Sequence, residues 1–326
     1  MNTIVTGLQW GDEGKGKIVD YLTETADVVV RGQGGNNAGH TVIARGTKYI
    51  LHLLPSGILW DGKINVIGNG VVVDPVGLVA EIERVEGQGV SITPEKLLIS
   101  DRAHVVLPLH KELDAAREAA LGDRKIGTTK RGIGPTYADK INRCGLRVAD
   151  LLNEAYFREM VAHRTADANE VLAKFGLPTF NAEQQADEVL AAFARLRPHV
   201  TNTIPVLHKA WKEGKIILFE GAQGSLLDID FGTYPFVTRR IPLPVVPAPA
   251  AACRRQRSSK SSASARLTRP ASVRDPSPPS MKDCPSICTT SAANSVPPPA
   301  ARAAADGSMP SCSATAAWST ARPASP

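Results

Sequence analysis

A carboxylate, two lysines and a histidine carry the chemistry this sequence could do. Asp12, Lys15 and Lys17 lie in Gln9–Lys17, Q-W-G-D-E-G-K-G-K, and His40 sits near the end of Gly34–Thr41, G-G-N-N-A-G-H-T. Glycine permits positive φ and close backbone approach, a helix start offers free N–H groups, and lysine neutralises phosphate oxygens. The first stretch therefore suits a loop wrapped around phosphate. The common pattern GxxxxGK followed by Ser or Thr is not matched, because Ile18 follows Lys17. Asp12 is the unusual member: a carboxylate inside an anion-binding loop is electrostatically costly unless it holds Mg²⁺ or takes a proton from a substrate. On residues alone, the stretch is a nucleotide loop or a structural Gly-rich turn, and His40 is an acid or a hydrogen-bonded loop histidine.

These residues need a scaffold that brings loops together. Ile4–Gly7 and Asp27–Arg31 are short β-branched runs separated by a helical pattern over Lys15–Thr23, which is a βαβ start. A hairpin is predicted over Thr41–Leu54, strands over Asn65–Ile67, Leu97–Ser100 and Ile216–Phe219, and helices over Val76–Glu86, His110–Ala120, Leu151–Phe175 and Ala182–Leu196. The fold class expected is α/β: a large, mostly parallel central sheet flanked by helices, with a phosphate-binding loop after the first strand. The last strand delivers Glu220-Gly221-Ala222-Gln223 to its carboxyl end, where ligands sit in open sheets of this kind. Gly127–Pro135 reads as a long basic loop, followed by Asn142-Arg143-Cys144, and Glu220–Thr238 closes the set of polar segments.

Composition divides the chain after Thr238. Residues 1–238 carry 26 Lys+Arg against 29 Asp+Glu, and residues 239–326 carry 12 against 3, so the net charge of +6 belongs wholly to the second part. It is no evidence that the first part binds nucleic acid. The second part also holds 15 of 24 Pro and 4 of 5 Cys but one Gly of 27. Cys144 is the lone cysteine of the first part, and Cys253, Cys284, Cys288 and Cys312 lack metal-ligand spacing. With no signal-like N-terminus and no apolar run near membrane-spanning length, the chain reads as cytoplasmic.

W-G-D-E-G-K-G-K, G-G-N-N-A-G-H-T, I-G-T-T-K-R-G-I-G-P and F-E-G-A-Q-G-S-L-L-D-I-D-F-G-T-Y-P-F-V-T occur together in the order and spacing of one family. Over residues 1–238 the chain resembles adenylosuccinate synthase, the GTP-dependent ligase that joins L-aspartate to IMP. The resemblance implies two catalytic residues. Asp12 would remove the N1 proton of IMP so that O6 attacks the γ-phosphate of GTP, and His40 would act as general acid toward the phosphoryl oxygens. It assigns GTP and phosphate contacts to Gly11, Asp12, Glu13, Gly14, Lys15, Gly16, Lys17, Gly39, His40 and Thr41. IMP would touch Asp12 to Lys15 and Asn37 to His40, Ala38 included, with Thr129, Gln223 and Thr238. Mg²⁺ would be held by Asp12 and the Gly39 carbonyl. Arg143 would reach the IMP of a neighbouring subunit, implying a homodimer, with no nucleic-acid or membrane partner.

After Thr238 the resemblance stops. The family continues S-S-N-T-T-A-G-G where this chain reads Arg239–Val246, R-R-I-P-L-P-V-V. Codons chosen for those eight residues, with one T placed in front and regrouped in threes, read S-S-N-T-T-A-G-G. Ala265–Arg274 and Ala293–Ser308, regrouped likewise, give K-A-Y-T-T-R-V-G-S and a segment containing T-T-T-G-R, both family-like. Residues 239–326 are therefore expected to be an out-of-frame translation. That segment would be disordered for want of apolar patterning, and its missing strands would leave sheet edges bare. The aspartate- and guanine-binding parts would be absent and the literal chain inactive. The alternatives are a non-catalytic GTP-binding module and a basic RNA-associated protein.

Overall fold

The computed structural model describes residues 2–37, 39–44 and 46–238, together with the backbone of 258–264. The strands are β1 (Asn2–Gly7), β2 (Val28–Gly34), β3 (His40–Ala44), β4 (Thr47–Leu51), β5 (Ile64–Val73), β6 (Leu97–Ser100), β7 (His104–Val105), β8 (Val200–Thr201), β9 (Ile217–Gly224) and β10 (Ser258–Ser264). The helices are α1 (Lys15–Thr23), α2 (Pro75–Glu86), α3 (Pro108–Ala120), α4 (Ile133–Asn142), α5 (Glu154–Lys174), α6 (Ala182–Leu196) and α7 (Thr203–Lys212). The central sheet runs β10-β1-β9-β2-β5-β6-β8, with β7 beside β5, and its pairings are all parallel. β3 and β4 form a separate antiparallel hairpin. Among the described residues, no helix is long and apolar enough to cross a membrane.

Why the apolar runs become central strands follows from their alternation. Ile4, Val28, Val30, Ile217 and Phe219 pack on one face with Leu207 and Ala210 of α7. Val5, Val29 and Leu218 pack on the other with Val19 of α1. A strand's side chains alternate between faces, so a continuous apolar run is what two covered faces require. Each fully buried Val, Ile, Leu or Phe contributes about 1.5–3 kcal/mol relative to exposure. The largest core joins β5 and β6 to α2, α3, α5 and α6.

The predicted α/β class and most elements match, and the differences are local. β2, β5 and β9 run further than their apolar stretches, because backbone pairing continues through Gly32–Gly34, Gly68–Gly70 and Gly221–Gly224. Within the segment read as a basic loop, α4 begins at Ile133 behind Gly132, whose φ is 72°. Pro135 lies in the first turn, where a missing N–H costs nothing. α7 was not predicted; Asn202 caps it through the Ile204 N–H at 3.2 Å.

The βαβ start is also more elaborate than consecutive runs suggest, since β9 lies between β1 and β2. The expectation of an unstructured tail and a bare edge fails at Ser258–Ser264, which pairs in parallel with β1. Backbone N–H and C=O groups on an open edge can pair irrespective of side-chain character, which supplies the physical reason. The compact unit holding the sheet is Met1–Arg269. The rest of the predicted tail lies outside the described residues.

Candidate active site

The carboxyl ends of β1, β9 and β2 are neighbours, so the loops that follow them converge. The loop after β1 turns through Gly11 (φ 96°) and Gly14 (φ 85°) into α1. Gly14 is the N-cap, and its left-handed conformation is one that only glycine adopts cheaply. Glu13 braces this loop from inside. Its Oε1 accepts the N–H of Gln9 at 2.7 Å and of Gly11 at 3.0 Å, and its Oε2 accepts from Lys15 Nζ at 2.8 Å. Lys15 also donates to the Gly11 carbonyl at 2.8 Å. Burial pushes the Glu13 carboxyl up, but the hydrogen bonds from Lys15 and Gly11 outweigh it and hold the carboxyl below its ordinary value. Lys17 and Asp12 are exposed. Among the described residues, neither the Asp12 carboxylate nor Lys17 Nζ makes a hydrogen bond or ion pair, so both are left to face a ligand.

His40 sits where β3 begins, against the first turn of α1. A side chain on Gly16 would stand 3.4 Å from His40 Cδ2 and 3.6 Å from the Thr41 carbonyl. His40 Nε2 lies 3.0 Å from Ser56 Oγ and 3.5 Å from Glu220 Oε1. Glu220 is itself buried and accepts the Ser56 N–H at 2.9 Å through its other oxygen. Burial draws the His40 imidazole below its ordinary pKa; Glu220 opposes that and Arg31 adds to it. These surroundings therefore favour the neutral ring.

Gln223 follows directly along β9, with φ 70°. Its Cα lies 3.1 Å from where a side chain on Gly11 would begin, so the two loops meet backbone to backbone. Beside them is unused hydrogen-bonding capacity. Arg31 is 2% exposed, with Nη2 3.4 Å from the Gly35 carbonyl, while its Nε and Nη1 have no partner among the described residues. Both amide atoms of buried Gln33, Asn36 Oδ1 and Gln223 Oε1 are in the same state. Buried polar groups are ordinarily satisfied, so this concentration at the strand ends marks a place built to hold something polar. Next to it, Asn36, His52, Gly77, Glu81, Arg84 and Arg131 line a cavity of about 260 Å³.

The structure thus brings Gly11 to Lys17, His40, Thr41 and Gln223 together. Thr129 lies exposed in the loop before α4, Asn37 in the turn after β2, and Gly39 exposed beside His52. Thr238 donates its N–H to Leu227 O at 2.8 Å, which folds the segment after β9 back on itself. Ala38 lies outside the described residues. Arg143 stands apart: it is the exposed C-cap of α4, with φ 62°. Sequence reasoning missed Ser56, Arg31 and Gln33, and it placed Glu220 at the ligand end of the last strand without giving it a role. Arg31 and Glu220 had a signal, a charged residue continuing an apolar β-branched or aromatic run, whereas Ser56 had none.

Asp12 and the Gly39 carbonyl are hard oxygen donors. Such a pair suits Mg²⁺, which is held by few protein oxygens and completed by water and phosphate. Among the described residues there is no group of three or more His, Cys, Asp or Glu able to hold a metal without a ligand's help.

A family model described as adenylosuccinate synthetase matches residues 4–256. The adenylosuccinate synthetase of Clostridium acetobutylicum is 53% identical over 236 residues, which are 72% of this chain and 55% of that protein. That of Clostridium botulinum strain Eklund 17B is 56% identical over the same shares. The chain spans about half the length of these curated relatives. Among solved structures, the fully ligated adenylosuccinate synthetase from Plasmodium falciparum superposes with a TM-score of 0.74 at 34% identity, covering 81% of this chain and 61% of that one. A cyanophage S-2L succinoaminodeoxyadenylate synthetase bound to dGMP and dATP shares the fold, with a TM-score of 0.56 at 22% identity over 80% of this chain and 62% of that one. On the length of the family match, the identity of the relatives and the superposition, this chain belongs to the adenylosuccinate synthetase family.

Proposed function

We propose that residues 1–238 are the nucleotide-binding part of a cytoplasmic, GTP-dependent ligase joining L-aspartate to IMP. The observation that carries this reading is the seating of His40 against Gly16 of the phosphate loop, with Gln223 packed on Gly11 of the same loop. A carboxylate on a phosphate-binding loop with a histidine seated against that loop is what transfer of a phosphoryl group to a purine oxygen needs. Asp12 takes the N1 proton of IMP, O6 gains the electron pair and attacks the γ-phosphorus, and the bond to the GDP oxygen breaks. The amine of aspartate then adds at C6, the C6–O bond breaks, and phosphate leaves with the oxygen it carries and the proton the amine loses.

His40 serves the first step as a hydrogen-bond donor to the phosphoryl oxygens. Phosphate charge beside the buried ring would raise its pKa, moving it from the neutral form favoured in the free protein toward an acid. Asp12 and the Gly39 carbonyl would hold Mg²⁺, which supplies charge neutralisation of the phosphates when bound. Asn37, Ala38, Thr129, Gln223 and Thr238 would hold IMP, and Arg143 would reach the IMP of the second subunit of a homodimer.

Residues 239–326 are read as an out-of-frame translation that removes the aspartate- and guanine-binding parts. The expected behaviour of the 326-residue chain is IMP binding without adenylosuccinate formation. Calorimetric titration with IMP is the direct test, with Asp12→Asn expected to weaken binding about tenfold through the lost contact to N1–H. Unchanged affinity in Asp12→Asn would remove Asp12 from the site.

A further inference from the structure

Helix α4 has a candidate ligand residue beyond each end: Thr129 in the loop before it and Arg143 at its C-cap, about 15 Å away along ten residues. Its middle touches neither. Ile133, Tyr137 and Lys140 recur at helical spacing and share one face. Ile133 Cδ1 fills the space a side chain on Gly35 would need. The Tyr137 hydroxyl lies 2.7 Å from Gly70 O, 3.2 Å from Gly34 N and 3.3 Å from Gly34 O. With a single proton, it donates to Gly70 and accepts from the Gly34 N–H. Lys140 Nζ donates to Asn69 O at 3.0 Å. This face of α4 therefore grips the end of β2 where the Gly34–Thr41 loop begins, and the edge of β5 beside it.

The adjacent face, carrying Thr136 and Asp139, is held as firmly. Leu107 N–H donates to His110 Nδ1 at 2.9 Å, which leaves the ring proton on Nε2, 3.1 Å from Asp139 Oδ2. Arg164 Nη2 reaches the same carboxylate at 3.2 Å. Thr136 Oγ1 donates to Gly132 O at 2.8 Å and lies 3.0 Å from His110 Nδ1. With its one proton given to Gly132, Thr136 stands beside His110 without a shared proton, and since both are buried, these contacts and the His110–Asp139 pair fix the helix and do not meet a substrate. At the far end, Asp139 O accepts from Cys144 N at 3.0 Å and Gly145 N at 3.2 Å, which sets the turn that presents Arg143.

A helix is stiff along its axis, and with side-chain bonds on two faces it moves as a unit, so displacement at one end is transmitted to the other contacts. We propose that Tyr137 is a positioning residue through which the Arg143 end of α4 and the loop carrying Asn37 and His40 set each other's geometry. In a dimer this couples the two active sites, a consequence that rests on the reading of Arg143 given above. The clamp itself does not rest on it.

Amide hydrogen exchange on the ligand-free 326-residue chain tests the clamp. Tyr137→Phe keeps the ring and removes the hydroxyl. It is expected to speed exchange about tenfold in residues 34–41 and also in 142–146, with α2 and α6 within about twofold. Acceleration at 34–41 alone, or at neither segment, overturns the proposal. Ile133→Val, a milder change on the same face, is expected to give the same two-ended pattern and stands in should Tyr137→Phe fail to fold.

IMP titrations of wild type, Arg143→Ala, Tyr137→Phe and the double variant then test the coupling. The loss from Arg143→Ala is expected to shrink from about tenfold in wild type to under about threefold in the Tyr137→Phe background. Losses that simply multiply overturn the coupling. Failure of wild type to bind IMP overturns the substrate reading instead, and the exchange pattern still decides the clamp.

Discussion

At the scale of single residues, the polar groups with most effect are those whose loss strands a buried partner. Glu220 is 6% exposed and is the acceptor for the Ser56 N–H. Glu220→Ala is expected to cost about 2–3 kcal/mol, because that N–H is left buried and unpaired, whereas Glu220→Gln keeps an acceptor and should cost under about 1 kcal/mol. Urea denaturation of the two variants checks the difference, and equal losses would show that the bond contributes little. His104 gives a second effect at this scale. Burial, with help from Lys140 and Arg147 and against Asp139, holds its pKa down at about 4. The unfolded chain takes up the proton near pH 6.5. Between those values the unfolded state binds more protons, so stability falls as pH drops from about 6.5 to about 4 and then levels. The loss is about 3 kcal/mol. In His104→Gln the denaturation midpoint should lose that part of its slope; an identical slope would mean His104 is not buried neutral.

At the scale of elements, the site depends on backbones meeting without side chains between them. Gly224 has an ordinary φ of −130°, yet a side chain there would run into the Gln9 carbonyl. Gly62 has φ 72° and nothing near it. Gly224→Ala is therefore expected to destabilise by about 3 kcal/mol, through forced separation of β9 from the phosphate loop. Gly62→Ala should cost only about 1 kcal/mol, the strain of a left-handed residue. Thermal melts of both variants, with the reverse ranking as the contrary outcome, test whether the strand–loop contact is as close as described. Most helices and strands were legible in the sequence, because their apolar residues repeat at the helix or strand period. α4 was not: Gly132 at its N-cap and Gly134 and Pro135 in its first turn are turn residues, and the grip of Tyr137 and Asp139 on neighbouring elements holds that stretch as a helix.

For the whole molecule, the question is what half of a family member can do. The chain covers 55% of the curated relatives it matches, and the neighbouring carboxyl ends of β1, β9 and β2 lie within that half. A gene with one base added at the Thr238 codon is expected to yield a protein that forms adenylosuccinate from IMP, GTP and aspartate, while the 326-residue chain does not. A coupled assay of both proteins checks this. Turnover by the 326-residue chain, or none by the frame-restored protein, would contradict the out-of-frame reading.

The residues alone determined the phosphate loop, the candidates Asp12 and His40, the α/β class and the family resemblance, because these depend on residue types, local periodicity and the order of motifs along the chain. Only the tertiary structure decided that β9 enters between β1 and β2, that Glu220 and Ser56 hold His40, and that α4 clamps the loop leading to it. Strand order and contacts between residues 164 positions apart, as in the Ser56–Glu220 bond, arise from non-local closure. Its cost is offset only once the sheet and its covering helices assemble, so no local pattern records it.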